Sequence, residues 1–74
     1  KADLSLANLS SSSLLKAKLK KAILIGANFT NAYLVRANFT GANLKRANFT
    51  DAIFQVGHES VASTAANLSY TDLT

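Results

Sequence analysis

The sequence predicts an all-β solenoid of square cross-section, about three to four coils tall if its 74 residues turn one coil per twenty. Small residues recur at every fifth position through eleven consecutive blocks, at Ala2, Ala7, Ser12, Ala17, Ala22, Ala27, Ala32, Ala37, Ala42, Ala47 and Ala52. A large apolar centre follows each of them by two positions, at Leu4, Leu9, Leu14, Leu19, Leu24, Phe29, Leu34, Phe39, Leu44, Phe49 and Phe54. Such a fixed short period indicates a repeat architecture.

A period of five does not suit a helix. Five residues advance an α-helix by about 500°, a net step of about 140°, so the centres would spiral around it without forming a stripe. In a strand, an alanine and the centre two positions later share one side, but the next alanine lies an odd step further on. Both rows can face one interior only if the chain turns a corner in every block. Four corners close a square, and the coils stack through backbone hydrogen bonds at a spacing of about 4.8 Å.

The blocks ANFTN, ANFTG, ANLKR and ANFTD, which fill residues 27–31 and 37–51, resemble the A-(D/N)-(L/F)-(S/T)-x consensus of the pentapeptide-repeat family. The resemblance covers residues 1–56 and resumes at 66–74. It implies a right-handed quadrilateral β-helix made of coils of four pentapeptides. The family has many roles, so the resemblance implies a fold and no particular activity.

Taken in order, residues 1–13 are two regular blocks followed by a serine-rich one, in which Ser12 replaces alanine and the register continues. Residues 14–25 mix lysine with leucine and isoleucine, as a basic amphipathic helix would. The five-residue register holds through that stretch, which favours lysines at and near the corners of a coil instead.

The repeat breaks after Phe54, because the next leucine centres are Leu68 and Leu73 and the step from 54 to 68 is not a multiple of five. A weak block at 61–65 and an inserted corner loop at 57–60 restore the register, leaving 57–65 irregular; a short helix over 58–66 is the alternative. We therefore expect a single domain over 1–74. Both ends of the sequence fall inside a block, so we expect further coils of a longer chain, or a partner, to cover the ends of the stack.

Stacking at twenty residues sorts the centres onto four faces. They are Leu4, Leu24, Leu44 and Ser63 on the first; Leu9, Phe29, Phe49 and Leu68 on the second; Leu14, Leu34, Phe54 and Leu73 on the third; and Leu19 and Phe39 on the fourth. The residues on either side of each centre should point outward. On the second face these outward residues form a row of asparagines beside a row of hydroxyls, for which we expect hydrogen-bonded stacking along the solenoid axis. A flat hydroxyl face is also similar to that of β-helical ice-binding proteins, an alternative that thermal hysteresis would test.

The third face should present Leu15, Tyr33, Val35 and Ile53 outward, more apolar groups than scattered surface residues give. This cluster is the candidate interaction surface, either for a second copy of the chain or for another protein. The alternative is that other parts of the chain cover it.

Charge restricts the nucleic-acid roles open to this chain, which has a formal net charge of +4. Some members of the family it resembles modulate DNA gyrase by imitating duplex DNA, but that imitation needs rows of carboxylates and this sequence has four acidic residues in all. Lys18, Lys20 and Lys21 form a basic patch on the fourth face, Lys16 and Arg36 should stack at one corner, and Lys45 with Arg46 should lie at another. This charge fits direct binding of nucleic acid, or of an acidic protein, better. A generally solvated surface is the alternative.

Little in the sequence supports catalysis or a bound cofactor. There is no cysteine, one histidine, and no glycine-rich phosphate loop. His58, Glu59 and Ser60 are adjacent in sequence, which is not the spatial arrangement of a catalytic triad. The chain has no apolar run of membrane-spanning length and no recognisable signal peptide, so we expect a soluble chain whose compartment the sequence does not indicate. We expect a non-catalytic scaffold for protein–protein interaction, with a nucleic-acid-linked role, as a basic-surface binder or topoisomerase modulator, as the alternative.

Overall fold

A computed structural model describes residues 3–54 of the chain. Seven parallel β-bridges connect residues twenty positions apart: Asp3 with Ile23, Asn8 with Asn28, Ser13 with Tyr33, Lys18 with Asn38, Ile23 with Asn43, Asn28 with Asn48, and Tyr33 with Ile53. Each coil therefore takes twenty residues, and each of its four sides carries one bridge. Between 3 and 54 the backbone forms no helix, and its strand structure consists of these single-residue bridges.

Backbone hydrogen bonds join each coil to the next at regular places. The N–H of a centre donates to the carbonyl of the residue nineteen positions later, as from Leu9 to Asn28 at 2.8 Å. The N–H of the bridge residue donates back to a carbonyl twenty-one positions earlier, as from Asn28 to Ala7 at 2.9 Å. Each coil therefore both donates hydrogen bonds to its neighbour and accepts hydrogen bonds from it. The stability of one coil thus depends on the coils stacked against it.

Every corner is a four-residue turn that ends on the first residue of the next block, which is alanine everywhere except at Ser12. The alanine N–H donates to the carbonyl of the preceding centre, as from Ala37 to Leu34 at 3.0 Å. The third residue of each turn has a positive φ, which is the pattern of a type II turn. These corner residues are Leu6, Ser11, Lys16, Lys21, Gly26, Asn31, Arg36, Gly41, Arg46 and Asp51. Only two of the ten are glycines, so the stack holds ordinary L-residues in a conformation that costs them about 1–2 kcal/mol each.

The core is a column of centres surrounded by alanines. The five most completely buried large side chains are Leu24, Phe29, Leu34, Phe39 and Leu44. Five alanines of the core, Ala22, Ala27, Ala32, Ala37 and Ala42, are at most 3% exposed. The rings of Phe29 and Phe49, one coil apart, stack with centroids 4.9 Å apart and planes 4° from parallel. The square coil predicted by the five-residue period is therefore confirmed.

Burial changes along the stack as well as around it. The second-coil centres are fully buried, whereas Leu4, Leu9, Leu14 and Leu19 of the first coil are partly buried and pack against them. Phe49 and Phe54 of the third coil are also partly buried. The predicted loop at 57–60 and the centres Leu68 and Leu73 lie outside the described residues.

Replacing Gly26 with alanine is expected to lower the free energy of unfolding by about 1 kcal/mol, because its φ of +69° is unfavourable for a residue with a Cβ atom. An alanine Cβ would also lie 2.8 Å from Leu6 Cδ2, but the Leu6 side chain is 79% exposed and can rotate away. Chemical denaturation measures the change.

Gly41→Ala is the matched control, with a φ of +70° and a Cβ in ordinary contact, 3.4 Å from Lys21 Cγ. Similar losses at both sites would assign the cost to the corner conformation. A clearly larger loss at Gly26 would mean that Leu6 cannot move. A gain in stability from either substitution would contradict the requirement for positive φ at the corners.

Candidate interaction surfaces

Two exposed aliphatic side chains lie on the third face of the solenoid, which comprises residues 12–16, 32–36 and 52–54. Leu15 is 50% exposed and Ile53 is 44% exposed. Tyr33 is half-buried and forms the bridge that pairs with Ile53 one coil later. We call these three residues the apolar patch.

The sequence prediction is wrong about one member of this surface. Val35 was expected to point outward and be accessible, but it is only 4% exposed. It lies in the second coil, which has another coil on either side, and its β-branched side chain is short. Leu15, the equivalent residue of the first coil, is 50% exposed. The apolar patch is therefore smaller than the sequence predicts.

The most exposed large apolar side chain in the described region was missed by sequence reasoning. Leu6 is 79% exposed and lies at the corner between the first and second faces, with a φ of 63°. The sequence could have indicated this exposure, because the other nine residues at the corners of the described coils are charged, polar or glycine. A leucine in that series has to point outward, and it covers the space that Gly26 leaves one coil later.

The polar rows on the second and fourth faces are held by local hydrogen bonds. The Asn28 side-chain oxygen accepts the Thr30 backbone N–H at 2.9 Å and the Thr30 hydroxyl at 2.6 Å. Asn8, Asn38 and Asn48 make the same pair of bonds to the residue two positions later. These bonds lie within one block, whereas the sequence predicts bonds that run along the axis on the second face. Their effect is to fix the chain just before each corner.

Asp3 uses a carboxylate for the same purpose as these asparagines. Its oxygen accepts the Ser5 hydroxyl at 2.8 Å and the Ser5 backbone N–H at 3.1 Å. The Ser5 hydroxyl and then the Ser5 N–H lower the pKa of the Asp3 carboxyl, because both hydrogen bonds favour the charged form. The role of the Asp3 carboxylate is therefore to stabilise the turn that follows it. Among the described residues, no buried side-chain nitrogen or oxygen lacks a hydrogen-bond partner.

All three members of the predicted basic patch, Lys18, Lys20 and Lys21, are exposed. Lys18 and Lys20 flank the centre Leu19 on the fourth face, which comprises residues 17–21 and 37–41. Lys21 is the corner residue at one edge of that face. Lys16 and Arg36, both exposed, occupy the corner at its other edge in successive coils. The structure thus places the predicted corner pair of Lys16 and Arg36 at the edge of the face that carries the basic patch.

The described part of the chain brings together no group of acidic and histidine side chains that could hold a metal ion. His58, Glu59 and Ser60 lie outside it. Residues 3–54 also contain no helix of the length and hydrophobicity needed to cross a membrane.

The fold and its surfaces define a class of protein, a quadrilateral β-solenoid with a uniform core and variable outward side chains. The model of the family described as pentapeptide repeats matches in eight copies over residues 1–24 and 22–55. The chain therefore belongs to the pentapeptide-repeat family, whose solenoid is a right-handed quadrilateral β-helix. Proteins of this family are generally non-catalytic.

Solved structures give the same fold. The chain is similar to a pentapeptide repeat protein of the Arabidopsis thaliana thylakoid lumen, with 32% sequence identity and a TM-score of 0.69 over 99% of this chain and 48% of that one. It is also similar to a pentapeptide repeat protein of the cyanobacterium Cyanothece 51142, with 37% identity and a TM-score of 0.67 over 99% of this chain and 40% of the other. The chain thus spans about half the length, or less, of these two relatives. Comparison with curated proteins gives no match.

Proposed function

We propose that this chain is a non-catalytic interaction scaffold that binds protein through the apolar patch on its third face. The observation that carries the proposal is the exposure of Leu15 and Ile53 at 50% and 44% on one flat side of a rigid stack. Fully burying a leucine or isoleucine side chain contributes about 1.5–3 kcal/mol relative to leaving it exposed, so a protein covering this face would gain from both.

The rigidity of the solenoid supports binding of this kind. The bridge that pairs Tyr33 with Ile53 and the hydrogen bond from Leu34 N to Ile53 O, at 2.7 Å, hold the patch on hydrogen-bonded backbone. A surface that is already ordered loses little conformational entropy when a partner docks. The apolar patch therefore does not have to rearrange to present its side chains.

A scaffold role also agrees with how the polar groups are used. General acid–base catalysis needs a positioned proton donor or acceptor beside the reacting group. In residues 3–54 the acidic side chains are Asp3 and Asp51, and they lie apart on the first face and on the corner between the second and third faces. The asparagine and threonine side chains bond to each other at the turns.

Self-association is the simplest protein contact to test. Sedimentation velocity over a range of concentrations is expected to show a rising weight-average sedimentation coefficient for the unmodified chain. The Leu15→Asp/Ile53→Asp variant is expected to remain monomeric, because it would bury two carboxylates in the contact. Both sites are exposed, so its thermal unfolding should stay close to that of the unmodified chain.

Leu6→Asp is the matched control, since Leu6 is an exposed leucine at a corner away from the third face. It should associate as the unmodified chain does. A strictly monomeric chain whose sedimentation is unaffected by Leu15→Asp/Ile53→Asp would contradict self-association through this face.

A further inference from the structure

A second surface of the solenoid collects most of its positive charge. Lys16, Lys18, Lys20, Lys21 and Arg36, five of the eight lysines and arginines in the sequence, lie on the fourth face or at its two edges. We call them the basic band. All five are exposed. The band meets the third face at the corner formed by Lys16 and Arg36, but none of its residues belongs to the apolar patch, so the inference below does not depend on the proposed function.

Successive turns of the backbone set the layout of the band. Lys18 and Lys20 are two positions apart on one side of the first coil and point to the same side as each other. Lys16 and Arg36 are equivalent corner residues of the first and second coils, joined at this corner by the hydrogen bond from Lys16 N to Val35 O at 2.9 Å. The band is therefore about two coils deep along the axis and one face wide.

No carboxylate balances this charge within residues 3–54, where none of the five side chains forms an ion pair. Asp3 accepts hydrogen bonds from Ser5 on the first face, and Asp51 is at the corner between the second and third faces. Like charges at equivalent positions of neighbouring strands repel, which applies to Lys16 and Arg36. An anion placed along the band would offset that repulsion.

We infer that the basic band binds the phosphate backbone of duplex nucleic acid without reading its sequence. Duplex DNA presents one negative charge per about 1.7 Å of its axis, and lysine and arginine side chains supply the contacts that neutralise such a backbone. The two centres of the fourth face, Leu19 and Phe39, face the core. The band therefore has no exposed aromatic ring on which the bases of a single strand could stack.

The same face is less suited to a lipid surface. Its outward positions are Lys18, Lys20, Asn38 and Thr40, so it offers no aliphatic side chain to enter the acyl region. An open groove lies beside Lys21 at one edge of the band and is lined also by Ala22, Ile23, Gly41 and Asn43.

The test is fluorescence anisotropy of a labelled 20-base-pair DNA duplex titrated with the 74-residue chain at several salt concentrations. If all five side chains contact phosphates, the logarithm of the affinity should fall with the logarithm of the salt concentration with a slope of about −4.5. That slope corresponds to a loss of about 500-fold between 50 and 200 mM salt. A single strand of the same length should bind with a shallower slope.

The variant is Lys18→Glu/Lys20→Glu, which should weaken binding at least tenfold at 50 mM salt and make the slope shallower by about 2. The matched control is Lys45→Glu/Arg46→Glu, which changes the net charge equally. Lys45 lies on the first face and Arg46 at the corner diagonally opposite Lys16 and Arg36. The control should bind within about twofold of the unmodified chain. Thermal unfolding followed by circular dichroism should show that all three proteins remain folded at the temperature of the binding measurement.

Three outcomes would overturn the inference. One is the absence of duplex binding at 50 mM salt. Another is an equal loss of affinity in the control variant, since that would make net charge alone responsible. The third is sedimentation of the chain with phosphatidylserine-containing vesicles, but not with phosphatidylcholine vesicles, in the absence of duplex binding. That result would assign the band to an anionic lipid surface.

Discussion

Truncating Phe29 to alanine is expected to lower the free energy of unfolding by about 3–5 kcal/mol, the cost of deleting a buried aromatic ring and leaving a cavity. Phe29 is fully buried in the second coil. Its ring stacks on Phe49 with centroids 4.9 Å apart and meets the edge of Phe39 at 5.6 Å. Its loss therefore removes contacts both along the axis and across the coil. Because small domains are stable by only about 5–15 kcal/mol, much of the folded population should be lost, and urea denaturation would measure this.

Phe29→Leu is the matched control, since leucine occupies the equivalent position one coil earlier at Leu9. Leucine removes less of the ring's volume than alanine does, so this substitution should cost clearly less than Phe29→Ala. If Phe29→Ala destabilises the chain no more than Phe29→Leu does, the ring does not fill the core as described.

Enlarging Ala37 to leucine is expected to destabilise the chain by about 1–3 kcal/mol or more, because the added side chain has no space to occupy. Ala37 is fully buried at the start of the fourth face. Its N–H closes the corner to Leu34 O at 3.0 Å, and the next residue, Asn38, donates its N–H to Ala17 O at 2.9 Å. Relieving the overlap would require moving backbone that is hydrogen-bonded to the preceding coil. Thermal unfolding followed by circular dichroism measures the loss.

Ser13→Leu is the control for this substitution, since it places a leucine side chain at an exposed bridge position of the first coil. A change at an exposed site is expected to stay within about 0.5 kcal/mol. Equal stability of Ala37→Leu and the unmodified chain would mean that the corners are not tightly packed, and the account of the alanine positions would then fail.

The five-residue period predicted the interior well because it is a geometric constraint. An alanine and a centre two positions apart can both reach the interior only if the chain turns between one centre and the next alanine. That requirement places Leu24, Phe29 and Leu34 on successive faces, and it places Phe49 directly one coil beyond Phe29, as the ring stacking shows. The period alone also gave the twenty-residue coil.

The candidate surfaces were predicted less completely. The sequence predicted the basic patch of Lys18, Lys20 and Lys21 and the stacking of Lys16 and Arg36 at one corner, and the structure places that corner at the edge of the fourth face. The sequence also gave no reason to expect different exposures for the side chains of Leu15 and Val35. Both follow a centre by one position, yet one is 50% exposed and the other 4%.

The sequence by itself determined which residues face the axis of this protein, because inward and outward are set by position within each block of five. Only the tertiary structure decided how far an outward residue is covered, since that depends on the coils above and below it and on the size of the side chains at the same position there. It also decided the conformation of the corners. The stack imposes positive φ at Leu6, Lys16 and Arg36 as it does at Gly26, because each of these corners is hydrogen-bonded to a neighbouring coil. Those bonds outweigh the local preference of the residue.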